Sequence, residues 1–140
     1  MQIRHKNREI YFREQTECTQ KYVIPYIEQV LCIKSNLRVL EIGCGEGGNL
    51  KPFLDVGCHC VGIDIDVAQV EKTKAFFANH SLNKNLRLIA NDIYKVSPNE
   101  IGNFDLIILR DVIEHLPNQE LFMHQLKCFM HSESVVFFGF

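Results

Sequence analysis

The segment VLEIGCGEGG at positions 39–48 carries a short apolar run straight into a cluster of glycines. Gly43, Gly45 and Gly48 fit the pattern GxGxxG. The pattern lies between a predicted strand, Arg38–Ile42, and a predicted short helix with Leu50, Phe53 and Leu54 on one face, the context that gives it weight. Glycine suits a tight turn whose backbone a ligand must approach without a Cβ in the way, and the helix behind the loop adds unpaired amide donors. Asp64 closes the second predicted strand 21 positions beyond Gly43. An acid placed there accepts both hydroxyls of a ribose, so the pattern implies a nucleoside-containing ligand.

Outward from this loop, short apolar runs alternate with helical periodicity, as in a parallel sheet built from βαβ units. Strands are predicted at 60–65, 86–90, 104–109 and 134–138. Gly57 is the expected stop of the first helix. Asp66 and Gln69 form an expected capping box for the next helix, which ends near Asn79. A further helix over 118–130 places Phe122, Leu126 and Phe129 on one face. The polar stretches 79–85 and 94–103 read as loops. Before Ser35, Val23, Tyr26, Ile27, Val30 and Leu31 make one apolar helix face, with Pro25 in its first turn, behind a less regular helical stretch. This divides the chain into a helical cap segment, 1–34, and a core, 35–140.

Composition narrows the function classes. A net charge of -2 removes the basic footprint of a nucleic-acid binder or a polybasic membrane-surface protein. The most apolar stretch, 104–116, carries Asp105, Arg110, Asp111 and Glu114, so no membrane span is expected. The basic start (Arg4, His5, Lys6, Arg8) runs into Glu9, Glu14 and Glu17 without an apolar region and does not read as a signal peptide. Six cysteines without a CxxC pair imply reduced thiols and a cytoplasmic chain. Cys58, His59 and Cys60 alternate across a strand and do not converge on a metal, and no metal site is expected.

Charge then selects the nucleoside. A dinucleotide places its pyrophosphate at the loop and helix N-terminus, where a neighbouring carboxylate repels it. Glu41 sits two residues before the first glycine, on a strand expected to be covered on both faces, so it needs a cationic partner. S-adenosylmethionine offers an ammonium and a sulfonium there. An NAD-dependent oxidoreductase shares the glycines and Asp64 but not a use for Glu41.

The string VLEIGCGEG (39–47), then VGIDID (61–66), NDI (91–93) and FDLIILRDVIEHL (104–116), resembles the class I S-adenosylmethionine-dependent methyltransferases. Within that family it is most similar to the branch that methylates small molecules, including ubiquinone/menaquinone-type enzymes. The resemblance implies an α/β fold with a Rossmann-like, doubly wound, mostly parallel sheet. About five strands in the order 3-2-1-4-5 are expected here, with N-terminal helices. By resemblance, Glu41 and the Gly43, Cys44 and Gly45 backbone hold the methionine part and Asp64 the ribose. Ile65 packs on adenine, Asp92 accepts its amine, and the Ile93 amide meets the ring edge.

Arg110 and Asp111 fall at the end of the fourth strand, where the family places the transferable methyl group and the acceptor; Arg110 is expected among the cofactor-binding residues, with a clamp on an anionic substrate or a structural pair with Asp111 or Glu114 as the other readings. His115 is the nearby side chain able to act as a base near neutral pH. RDVI replaces the Asn/Asp/Ser-Pro-Pro-aromatic motif of DNA amino-methyltransferases, which argues for a small-molecule methyl acceptor and against nucleic acid. A non-catalytic S-adenosylmethionine-binding module is the alternative from another class. The family's sheet has seven strands, so the natural chain is expected to continue beyond Phe140, and the strand near 135–140 to offer an edge for self-association.

Overall fold

The computed structural model describes residues 8–110 and 112–139. Five parallel strands form one sheet: β1 (Arg38–Ile42), β2 (His59–Asp64), β3 (Leu86–Ala90), β4 (Phe104–Arg110) and β5 (Met130–Gly139), in the order β3-β2-β1-β4-β5. The helices are α1 (Arg8–Cys18), α2 (Ile24–Ile27), α3 (Lys51–Val56), α4 (Val67–Phe77), α5 (Pro98–Ile101) and α6 (Gln119–Lys127). The expected α/β architecture and strand order are both present.

Side chains of a strand alternate between faces, and the two faces of this sheet are covered by different elements. Val39, Leu106 and Ile108 pack with Val23 and Ile27 of the N-terminal helices and with Phe53 and Leu54 of α3. Leu40, Ile42 and Ile107 pack on the other side with Phe122 and Leu126 of α6. Glu41 alternates with Leu40 and Ile42, so it points to the face that carries the N-terminal helices. Because every strand runs the same way, the carboxyl ends of β1, β2 and β4 gather at one rim, where open α/β sheets hold ligands.

Several boundaries differ from the expectation. β2 runs from His59, whose amide donates to Leu37 O at 2.8 Å, to Asp64, with Ile65 beyond it. β5 begins at Met130 rather than Ser134, because its pairing with β4 jumps from Phe104↔Met130 to Leu106↔Val135 across polar residues that hide the strand's period. The 94–103 loop contains α5, formed by a capping box in which Ser97 Oγ accepts the Asn99 amide and Glu100 Oε1 accepts the Ser97 amide. Asp66 caps α4 through the Gln69 amide, but its own amide donates to Asp64 Oδ1, so only half the expected box forms. Helices α4 and α6 end early, at Phe77 and Lys127.

The largest difference lies near Pro25. Helix α1 continues through a π turn, Thr19–Val23, in which the Ile24 amide donates to Thr19 O, five residues back. Pro25 supplies no N–H, and the extra residue in the turn absorbs that loss. It also rotates the succeeding helix α2 by roughly 100°. Val23 and Ile27 are therefore buried, while Tyr26 is 63% and Val30 73% exposed, and the predicted apolar face is split.

Candidate functional site

The glycine loop is pinned from three sides. The amides of Gly43 and Cys44 donate to Ile63 O at 2.7 and 3.2 Å, joining the loop to β2. Asp64 Oδ2 accepts the Gly45 amide at 3.0 Å, and Thr73 Oγ1 of α4 donates to Gly45 O at 2.5 Å. Helix α1 closes the third side: Thr16 Oγ1 donates to Gly48 O at 3.0 Å. A Cβ on Gly48 would lie 2.7 Å from Phe12 O, so the last glycine of the pattern is required by helix contact. Gly45 is different. Its φ is +52°, and a Cβ there would meet nothing within 4 Å, so it borders open space.

That space is a cavity of about 340 Å³ walled by Glu41, Gly43, Cys44, Gly45, Asn49 and Arg110 from the sheet side and by Tyr11, Glu14 and Gln15 from α1. Glu41 is 1% exposed. Its Oε2 accepts from Asn49 Nδ2 at 2.8 Å, while its Oε1 is buried without a hydrogen-bond partner. Burial pushes the carboxyl up to about 8, against the lowering effect of the Asn49 hydrogen bond and the Arg110 charge. A buried carboxylate oxygen with no donor is costly by itself and is relieved by a cation. Cys44 lines the same wall, where burial and the neighbouring Glu41 and Asp64 charges raise its thiol pKa far above the ordinary value, so it is a poor nucleophile.

A second cavity of about 170 Å³ lies on the other side of Gly43. Asp64, Ile65, Asp92 and Ile93 wall it, with Tyr94, Val112 and Leu116 opposite. Ile65 is 73% exposed and Ile93 buried. Asp92 Oδ1 caps the turn Ile93–Lys95 by accepting the Tyr94 amide at 3.0 Å.

The residues singled out in the sequence therefore divide among two adjoining cavities. Arg110 ends β4 and lines the larger one; its Nη1 donates to Asn49 Oδ1 at 3.0 Å rather than to Glu114. Asp111 lies outside the described residues. His115 lines neither cavity; its side chain is 76% exposed, 3.8 Å from Glu114 Oε1. Sequence reasoning missed Asn49, Thr19 and Tyr11. Asn49 directly succeeds the last glycine of the pattern, and a polar residue at the start of a helix expected to be buried is the signal that was open to reading. Among the described residues, no group of three or more His, Cys, Asp or Glu gathers to hold a metal.

A family model described as a methyltransferase domain matches residues 12–139. The chain belongs to the methyltransferase-domain family. Relatives of this methyltransferase domain include the ubiquinone biosynthesis O-methyltransferase of Bartonella tribocorum, 25% identical over 125 residues covering 81% of this chain and 49% of that protein. The sterol 4-C-methyltransferase strm-1 of Caenorhabditis elegans is 28% identical over 102 residues, covering 73% of this chain and 30% of that one. Among solved structures, PKMT2 from Rickettsia typhi in complex with AdoHcy superposes with a TM-score of 0.66 at 26% identity, over 72% of this chain and 20% of that chain. Coclaurine N-methyltransferase bound to N-methylheliamine and SAH shares the fold, with a TM-score of 0.73 at 20% identity over 87% and 35% of the two chains. The chain spans about half the length of the ubiquinone biosynthesis relatives it matches.

Proposed function

We propose that this domain binds S-adenosylmethionine across the two cavities and transfers its methyl group to a small-molecule acceptor. The observation that carries the reading is Glu41 Oε1, a buried acceptor without a donor, beside a glycine loop with open space at Gly45. The donor set suits a ligand with a cationic amino-acid end and a nucleoside end, and it opposes a pyrophosphate. Family membership and relatives named as methyltransferases support the same reading.

In this reading Glu41 and the 43–45 backbone hold the amino-acid end and Asp64 accepts the ribose hydroxyls. Ile65 and Ile93 flank the base, whose amine Asp92 accepts through the oxygen not used in its cap. Bound S-adenosylmethionine supplies an electrophilic methyl on a sulfonium, already a good leaving group. The protein's work is to orient the acceptor and exclude water. Arg110, at the end of β4, is assigned to the side of the transferable methyl group and the acceptor, and His115 is the base to test if the acceptor carries a proton at attack. The six free cysteines suit a reducing compartment, and the cytoplasm is the proposed location. No helix of the described residues is long and apolar enough to cross a membrane. β5 is the proposed edge of self-association, with Phe138 exposed on it, and sedimentation velocity across a concentration series checks that.

Thermal unfolding with S-adenosylmethionine, S-adenosylhomocysteine and NAD in parallel tests the core of the reading. A ligand at 100 times its Kd adds about 2.7 kcal/mol of apparent stability. The first two are expected to stabilise and NAD is not. Stabilisation by NAD alone overturns the proposal, and binding without methyl transfer to any of a panel of phenols, amines and sterols would favour a non-catalytic module.

A further inference from the structure

The carboxyl rim of the sheet carries the glycine loop, and the opposite rim has a cavity of its own, of about 280 Å³. Strand register builds it. Arg38 opens β1 and pairs with His59, which opens β2, and Val61 pairs with Arg87 of β3. Alternation along the strands puts Arg38, His59 and Arg87 on the face that also carries Leu40 and Ile107. Lys84, from the turn Asn83–Asn85 that leads into β3, and the end of α5 complete the wall. The chain is net negative, yet among the described residues three permanent cations and one acid, Glu100, line this space. Glu100 commits its Oε1 to the Ser97 amide, at the start of α5, at 3.1 Å.

Both arginines are held by main-chain oxygens. Arg38 Nε donates to Asn103 O at 2.8 Å and its Nη2 to Ile101 O, and the guanidinium lies 4.8 Å from the centroid of the buried Phe104 ring. Gly102, at a φ of +81°, permits this approach, since a Cβ there would lie 3.3 Å from Nη2. Arg87 Nη1 donates to Glu100 O at 3.1 Å. Asp105 is engaged by the Arg38 amide and by His131 Nε2 and is not part of the wall. Among the described residues neither guanidinium forms a salt bridge. A carbonyl oxygen supplies a hydrogen bond without a neutralising charge, so each fork keeps its charge and further donors. Both are also fixed before a ligand arrives, which lowers the ordering cost of binding one.

We propose that this cavity binds a phosphate group, free or carried on a small ester, between Arg38, Arg87 and Lys84. A carboxylate satisfies one fork and one charge, whereas a phosphate dianion offers several oxygens and a second charge to cations that converge from β1, β3 and the turn before β3. The cavity lies at the far end of the strands from the glycine loop, so an anion here and a ligand at the loop occupy the domain separately.

Titration calorimetry on the 140-residue chain tests this with inorganic phosphate, ribose 5-phosphate and acetate, at constant ionic strength because salt alone screens exposed charges. Saturable binding of phosphate or its ester is expected, with acetate at least about tenfold weaker. The tighter of the first two names the source of the group. Lys84→Gln and Arg87→Gln should each weaken it about fivefold or more, while melting within a few degrees of the parent without added anion, which reports that they are folded. Backbone amide shifts on adding phosphate should fall at 84–87 and 100–103. No saturable binding of either phosphate, acetate binding as tightly, parent affinity in both variants, or amide shifts gathered at 43–48 each overturns the site.

Discussion

Asp64 Oδ2 accepts the Gly45 amide at 3.0 Å while its Oδ1 accepts the Asp66 amide at the same distance. One carboxylate thus ties the glycine loop to the end of β2 and starts the turn into α4. Asp64→Ala removes both bonds and is expected to lower stability by about 1–3 kcal/mol. It is also expected to weaken S-adenosylhomocysteine at least about tenfold, since a charged acceptor for ribose is lost. Denaturant unfolding and calorimetry on the same preparation separate the two effects, and Asp64→Asn should recover more of the stability than of the affinity.

Glu41 is expected to make binding of the proposed ligand pH-dependent. Burial raises it from 4.5 to about 8, and a cationic ligand needs the carboxylate form. Affinity for S-adenosylmethionine should rise by up to about tenfold per pH unit toward 8 and level off above, with a proton released on binding below 8. Stability runs the other way. With the folded pKa above the unfolded one, the folded protein holds more protons between 4.5 and about 8, so this group's contribution is full below 4.5 and is lost as pH rises through that window. Glu41→Gln should abolish ligand binding, flatten the slope, and melt above the parent at pH 8 without added ligand, by roughly 2–8 °C. Melting curves from pH 5 to 8.5 show whether it does.

Gly45 and Gly48 should fail differently when changed to alanine. At Gly48 the new methyl group meets the Phe12 carbonyl, which cannot move without α1, and a loss of about 1–3 kcal/mol is expected. At Gly45 the methyl group enters open space at a φ of +52°, costing about 1–2 kcal/mol in the backbone. Its main effect is on the ligand, at least about tenfold in affinity. Equal affinity in Gly45→Ala and the parent would mean that no ligand approaches that face of the loop.

Thiol labelling reads the same burial chemically. Cys32 and Cys128 are exposed, whereas Cys44, Cys58 and Cys60 are buried, with burial holding Cys58 up at about 11 and the other two raised as well. Iodoacetamide at pH 8 should modify Cys32 and Cys128 first and leave the buried three untouched until the protein is unfolded, as peptide mass spectrometry would show.

The strands and their order were legible because buried parallel strands read as continuous apolar runs, and because the glycine loop fixes where β1 ends. The features that escaped reading have a common cause. The π turn accompanies a missing N–H at Pro25 and turns Tyr26 outward, and Val30 lies past the end of α2, although their spacing fits a helix face. Asn49 and Thr19 meet across 30 positions, and no local pattern marks two polar residues whose partners lie on other elements. His115 stood out by its chemistry, yet the turn Ile113–His115 leaves its ring in solvent.

Gly43 borders both cavities, so a molecule that fills them straddles a single backbone position. A ligand of the proposed kind would join the two cavities through its own covalent link. An adenosine fragment and an amino-acid fragment should bind together without competing, each poorly, and the bond between them supplies an effective concentration that neither half has alone.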